Sequence, residues 1–171
     1  MKKLEFEFFD RDCLEVAPDL VGKILVHTLP SGEVLSLRIT QTEAYRGEED
    51  TACHAHRGRT KKTEPLYAKS GTVYVYLCYG MHWLVNVITG GIDNPQGVLI
   101  RACEGYEGPA KLTKYLKIDK EQNMQSFVDG ELSIFDDGKR YEIKTDKRVG
   151  INYADKADVD KEWRYILAMH N

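Results

Sequence analysis

Val73-Tyr-Val-Tyr-Leu-Cys-Tyr-Gly-Met-His-Trp-Leu-Val-Asn-Val87 (VYVYLCYGMHWLVNV) consists of two β-rich apolar runs either side of Tyr79-Gly80-Met81. Such residues suit a pleated, half-buried surface, and a glycine between two runs marks a hairpin. The tip is chemically odd. Turns ordinarily carry Gly, Asn, Asp or Ser, which tolerate the required dihedrals and face water comfortably. A tyrosine and a methionine there either fold back on the body or touch another molecule. Side chains alternate along a strand, so Tyr74, Tyr76 and Cys78 share one face and Val73, Val75, Leu77 and Tyr79 the other. On the return strand Leu84, Asn86 and Ile88 form one row, an amide among apolar side chains.

Outward from the hairpin, Val21 to Thr28 and Glu33 to Tyr45 read as a strand pair joined by Pro30-Ser31-Gly32. Gly97 to Ala102 gives another strand after the turn-rich segment Gly90 to Pro95, and Gly108 to Leu116 a helix with Pro109 in its first turn. Asp10 to Ala17 reads as a short helix capped by Asp10 and stopped near Pro18. Leu132 to Phe135 and Tyr141 to Ile143 suggest short strands around Asp136-Asp137-Gly138, and the segment from Trp163 to Met169 packs on the body. There is no βαβ rhythm, repeat or linker. The predicted class is α+β: one domain over residues 1–171, a curved antiparallel sheet flanked by helices, with the hairpin protruding.

A chain of 171 residues with 42% hydrophobic and 30% charged content and mean hydropathy −0.46 has the make-up of an ordinary globular protein. No apolar run approaches the roughly 18 residues of a membrane span. The N-terminal Met1-Lys-Lys-Leu-Glu-Phe-Glu-Phe-Phe9 lacks the apolar centre of a signal peptide. Residence in the cytoplasm, on the nucleoid in a bacterial cell, is the expectation, with no membrane contact. Cys13, Cys53, Cys78 and Cys103 lie far apart without CxxC pairing and read as reduced, mostly buried small hydrophobes. A net charge of −3 argues against a protein that coats nucleic acid, but His56-Arg57-Gly58-Arg59-Thr60-Lys61-Lys62, with Lys69 nearby, meets only Glu64 as a neighbouring acid. That run is either a solvated loop or a phosphate contact. It lies within the long aperiodic stretch from Arg46 to Ser70, itself a site candidate.

By strand alternation Glu43 falls in phase with Leu35, Leu37, Ile39, Gln41 and Tyr45. A carboxylate in such a row stands either at the strand's wet end or half buried, where burial raises its pKa and a nearby arginine lowers it. Cys53-His-Ala-His56 adds ring side chains that could surround it. Glu43, Cys53, His54 and His56 also permit a metal reading, since catalytic zinc takes about three protein ligands, but HxH is common and no second pair completes a pattern. No metal and no cofactor is expected. Aromatic side chains on a sheet, one amide, one carboxylate and a basic loop together suit a flat, hydrogen-bonding ring on a phosphate backbone.

Gln41-Thr-Glu-Ala-Tyr45, Ala52-Cys-His54, Gly58-Arg-Thr-Lys-Lys-Thr-Glu-Pro65, Tyr74-Val-Tyr-Leu-Cys-Tyr-Gly-Met81, Asn86-Val87, Val98-Leu-Ile-Arg-Ala102 and Gly108-Pro-Ala-Lys-Leu112 occur in that order. Together they resemble the 3-methyladenine DNA glycosylases of the alkyladenine (methylpurine) type, from Phe8-Phe-Asp-Arg11 to Arg148-Val-Gly-Ile151. The resemblance implies a monofunctional, metal-independent enzyme that hydrolyses the N-glycosidic bond of alkylated purines in double-stranded DNA during base excision repair. It further implies that Glu43 activates the attacking water, held with Arg101 and the main-chain carbonyl near Ile151. Tyr45, His54 and Tyr76 would wall the base pocket, and Asn86 would check the purine's minor-groove edge. Tyr79, with Met81, would fill the gap left by the flipped nucleotide, and Arg57, Arg59, Lys61 and Lys62 would meet the DNA backbone. The enzyme would act as a monomer without an obligate protein partner. Leu66-Tyr67 stands where the family commonly has Met-Phe and Ala110 where Gly is usual, and residues 120–147 match weakly. Two other readings are a non-catalytic module that binds modified bases and a metal-dependent hydrolase using His54 and His56.

Overall fold

The structure, a computed structural model, describes residues 1–168. In chain order these form β1 (Lys2–Lys3), α1 (Phe6–Phe9), α2 (Cys13–Leu20), β2 (Ile24–Thr28), β3 (Val34–Arg46), β4 (Val73–Cys78), β5 (His82–Thr89), β6 (Gln96–Cys103), α3 (Pro109–Leu116), β7 (Leu132–Asp136), β8 (Ile143–Asp146), α4 (Lys156–Val159) and β9 (Arg164–Leu167). All strand pairings are antiparallel, in the order β1-β7-β2-β3-β6-β5-β4, with β9 pairing both β3 and β8. The expected α+β fold is what the chain adopts. Among the described residues no helix is long and apolar enough to cross a membrane.

The spine is β3, which pairs β2 over Val34–Arg38, β6 over Ile39–Arg46 and β9 over Gln41–Glu43. Its ladder with β6 slips between Ile39 and Thr42, a β-bulge. The shift is undone by Thr42, Ile39 facing Cys103 and Thr42 facing Ile100, so each strand spends one irregular residue there and the alternation reverses on both. Ile39 and Ala44 therefore both lie in the core, and Glu43 and Tyr45 face the other side of the sheet. Placing Glu43 in phase with Ile39 is thus corrected.

Helix α2 contributes Cys13, Val16, Ala17 and Leu20, an i, i+3, i+4, i+7 stripe, to the core cluster that also holds Ala44, Val73, Val85, Val87, Val98 and Ile100. Leu112 and Leu116 of α3 join the same cluster. Asp12, not Asp10, caps α2, accepting from the Leu14 N–H at 2.9 Å, while Asp10 accepts from the Ser70 hydroxyl. Pro18 lies within the helix instead of ending it. Its missing N–H loses a single intrahelical bond, and burial of Leu20 holds the last turn. The last hairpin also differs from expectation. Tyr141 packs beside Gly22 and the Arg38 guanidinium, so β8 begins at Ile143 and pairs with β9. Trp163 packs on the core as expected; Met169 lies outside the described residues. The long connection after β3 is pinned by two single 3₁₀ turns, His54–Arg57 and Glu64–Tyr67, which bury Ala55, Pro65, Leu66 and Tyr67.

Candidate active site

Opposite the core, the alternation of β4, of β5 and of β6 as far as Arg101 lays Tyr74, Tyr76 and Cys78 beside His82, Leu84 and Asn86, and these beside Gly97, Leu99 and Arg101. Register places Tyr74, Asn86, Leu99 and Glu43 in one row across four strands. With His54 and the segment Val149–Ile151 these side chains line a cavity of about 460 Å³, a volume suited to a nucleoside-sized ligand.

Glu43 sits there with no exposed surface. Its Oε1 accepts from the Tyr45 hydroxyl at 2.8 Å and its Oε2 from the Val149 N–H at 2.8 Å, with the Arg101 Nε 3.7 Å away. Burial raises its pKa above the ordinary 4.5, opposed by the Val149 amide, the Tyr45 hydroxyl and then the charges of Arg101 and Arg148. The result is a carboxylate that is harder to ionise than usual yet held at both oxygens.

His54 packs edge-on against Tyr76, ring centroids 4.6 Å apart, and its Nδ1 lies 3.0 Å from the Tyr74 hydroxyl. Burial, then the charges of Lys62 and Arg57, lower its pKa to about 4. His54 is therefore neutral at physiological pH and does not repel a cation. Burial raises Tyr45, Tyr74 and Tyr76 above the ordinary tyrosine value, so all three remain neutral phenols, and it pushes the Cys53 thiol up to about 11. The cavity thus pairs neutral aromatic faces with one carboxylate. The Asn86 amide donates to the Tyr74 carbonyl at 3.1 Å, which fixes its orientation in the wall. His56 turns away, its Nδ1 2.8 Å from the Glu48 carbonyl, and among the described residues no group of three or more His, Cys, Asp or Glu converges as a metal site.

The hairpin tip stands clear of the body. Tyr79 is 91% exposed and Met81 70%. Both Tyr79 (φ 52°) and Gly80 (φ 69°) adopt the left-handed conformation, and the Met81 N–H closes the turn on the Cys78 carbonyl at 3.2 Å. Glycine does this freely; tyrosine does not. Of the basic residues, Arg57, Lys61 and Lys62 are exposed and form no ion pair among the described residues, Lys62 lying over the Tyr76 ring at 5.9 Å. Arg59 differs. Its guanidinium is forked onto Glu64 at 2.6 and 2.8 Å and reaches Asp93 at 2.8 Å, so its charge is already matched within the chain.

Residues 7–107 and 104–171 match the sequence profile of the family described as Methylpurine-DNA glycosylase (MPG). A protein of Natranaerobius thermophilus is 41% identical over 96% of this chain and 95% of its own. Relatives in Desulfitobacterium hafniense (40% identical over 98% of this chain and 96% of its own) and Clostridium botulinum (39%, 96% and 95%) are similar, and each of the three is named as a 3-methyladenine DNA glycosylase.

The chain belongs to the methylpurine-DNA glycosylase family.

The glycosylase's cavity contains groups that strand reading did not single out. The Val149 amide and Tyr153 come from the segment after β8; buried Arg148 of that segment and Asp50 of the connection after β3 stand behind the lining. The Arg148-Val-Gly-Ile151 motif marked that segment, but nothing in its spacing shows a main-chain N–H aimed at Glu43. Ile151 lines the cavity, and its carbonyl accepts from the Ala154 N–H at 3.0 Å, leaving a second lone pair. The departure at Ala110 also falls in the lining.

Proposed function

We propose that this glycosylase excises 3-methyladenine and related alkylated purines from double-stranded DNA by flipping the nucleotide into the aromatic cavity and hydrolysing its N-glycosidic bond. The observation that carries the reading is Glu43, fully buried in that cavity and held by Tyr45, Val149 and Arg101.

Ionised Glu43 accepts a proton from water as the water oxygen bonds to C1′. The C1′–N bond breaks, and its electron pair passes to the purine, cancelling the positive charge that alkylation placed there. The base leaves neutral and the proton remains on Glu43. Because the leaving group is already activated, one carboxylate suffices where glycosidases canonically use two. The same carboxylate stabilises positive charge developing on the sugar. Tyrosine faces favour a cationic ring by about 0.5–2 kcal/mol over a neutral one, and neutral His54 leaves that preference intact. Extrusion costs a few kcal/mol and least for a damaged base. Tyr79 is aimed to take the vacated place in the stack. Arg57, Lys61 and Lys62 are free to meet phosphates.

Among the described residues the cavity lining includes no lysine, which supports a product that is an abasic site in an unbroken strand. Incubation with methylated duplex should release free 3-methyladenine and give strand breaks only after alkali. A borohydride-trapped protein–DNA adduct would contradict the monofunctional reading. Tight binding without base release would favour a non-catalytic module.

A further inference from the structure

Arg148 lies behind the cavity wall with its side chain wholly buried. Its guanidinium is forked onto the equally buried Asp50, Nη1 to Oδ2 at 2.7 Å and Nη2 to Oδ1 at 3.0 Å. Nη1 also donates to the Ala44 carbonyl at 2.9 Å and Nη2 to the Asp158 carbonyl at 3.2 Å. The guanidinium carbon lies 4.9 Å from the Tyr45 ring centroid and 5.0 Å from that of Trp163. Stability alone does not account for such a pair, because well-packed apolar side chains usually do as well or better in its place.

Its connections are to the segments that build the site. Ala44 sits between Glu43 and Tyr45 on β3. Asp50 also accepts from the Arg46 N–H at 2.9 Å and the Ala52 N–H at 3.1 Å, so it shapes the turn that delivers His54. The peptide bond that follows Arg148 supplies the Val149 N–H on Glu43 Oε2. The ring that Arg148 stacks against carries the hydroxyl on Glu43 Oε1.

We propose that Arg148, locked by Asp50, is a positioning residue of the reaction: it holds the Tyr45 hydroxyl and the Val149 amide on the two oxygens of Glu43 and thereby aims the carboxylate at the attacking water. This rests on the proposed role of Glu43. Arg148 touches no substrate; Arg101, partly exposed on the cavity side, is the arginine placed to do so. The protein side and the substrate side of one carboxylate thus have separate arginines.

The role has a signature that packing alone lacks. Around Glu43 stand Tyr45 of β3, Tyr76 of β4, Arg101 of β6, and Tyr153 and Arg148 from the segment after β8. Arg164 of β9 turns instead to Gln41 and Asp146. Among the described residues Arg101 and Arg148 are the positive charges that favour ionised Glu43, with the Asp50 carboxylate on the far side of Arg148, so removing Arg148 also makes Glu43 harder to ionise.

The test measures single-turnover excision against pH for Arg148→Met, Arg148→Lys and the double variant Asp50→Asn/Arg148→Met, which leaves no orphaned carboxylate, with Glu43→Gln as control. Folded variants should bind abasic duplex like the wild type and lose about 100-fold in rate, the scale of a misplaced catalytic group. The acid limb should move to higher pH for both Met variants, and Arg148→Lys should restore the limb but not the full rate. A folded variant with wild-type rate and acid limb, or a loss confined to DNA affinity, overturns the proposal. Should both Met variants fail to fold, wild-type rate in Arg148→Lys, which keeps the charge but loses the fork, overturns it equally. An active Glu43→Gln is a different result, refuting the reading of Glu43 itself.

Discussion

Tyr79→Asn should make the protein more stable and its grip on DNA weaker. The ring is 91% exposed, so truncation removes almost no packing. The backbone at φ 52° favours asparagine, the commonest non-glycine residue in such turns and the usual partner of a following glycine. Relief of this strain is worth about 1 kcal/mol, which for a chain of this size raises Tm by about 2–4 °C. Losing an aromatic surface that stacks on bases costs about 1–3 kcal/mol, or about 5- to 150-fold in Kd for duplex containing an abasic site. Differential scanning calorimetry and fluorescence anisotropy on the same preparation read the two effects. A variant that melts below the wild type would show that the ring packs on the protein. Unchanged affinity would show that it is no wedge. Either result refutes the reasoning, because strain at an exposed tip persists only where something else uses the residue.

Since burial raises the Glu43 pKa above 4.5, excision should fall as pH drops through that raised value, with no further inflection near 6.5 from His54, whose pKa is lowered to about 4; a single-turnover pH profile checks both. The native state holds that proton more tightly than the unfolded chain, so the stability Glu43 contributes is present below pH 4.5 and is lost as pH rises through the raised pKa. Glu43→Gln should therefore melt higher than the wild type at pH 7–8, with the gap closing toward pH 4.5 in thermal melts. Lys62→Ala should reduce the slope of log Kd against log salt by about 0.9, while Arg59→Ala should change it less, its charge being matched by Glu64 and Asp93; titrations at several salt concentrations separate them.

The cavity wall was legible wherever alternation runs unbroken. On β4 and β5 the period of two assigns Tyr74, Tyr76, Leu84 and Asn86 to one face and Val73 and Val75 to the other, as the structure shows. On β3 it failed, because a bulge is a pairing event between two strands and leaves no mark in one of them. Arg148 and Asp50 were illegible for another reason: they are 98 residues apart, and each by itself reads as a surface charge. Pro18 misled through local propensity, which burial of Leu20 overrides. The tyrosine at the tip needed no structure to be noticed, only a backbone to show that it is strained and unpacked.

The central claim is that buried Glu43 is the base that activates water in this cavity. Single-turnover release of 3-methyladenine from methylated duplex by wild type and Glu43→Gln, at saturating enzyme and pH 7.5 or thereabouts, tests it most directly. The account predicts rapid release by the wild type and a loss of at least about 100-fold by the variant, with its affinity for abasic duplex retained. Release by Glu43→Gln at the wild-type rate would contradict it.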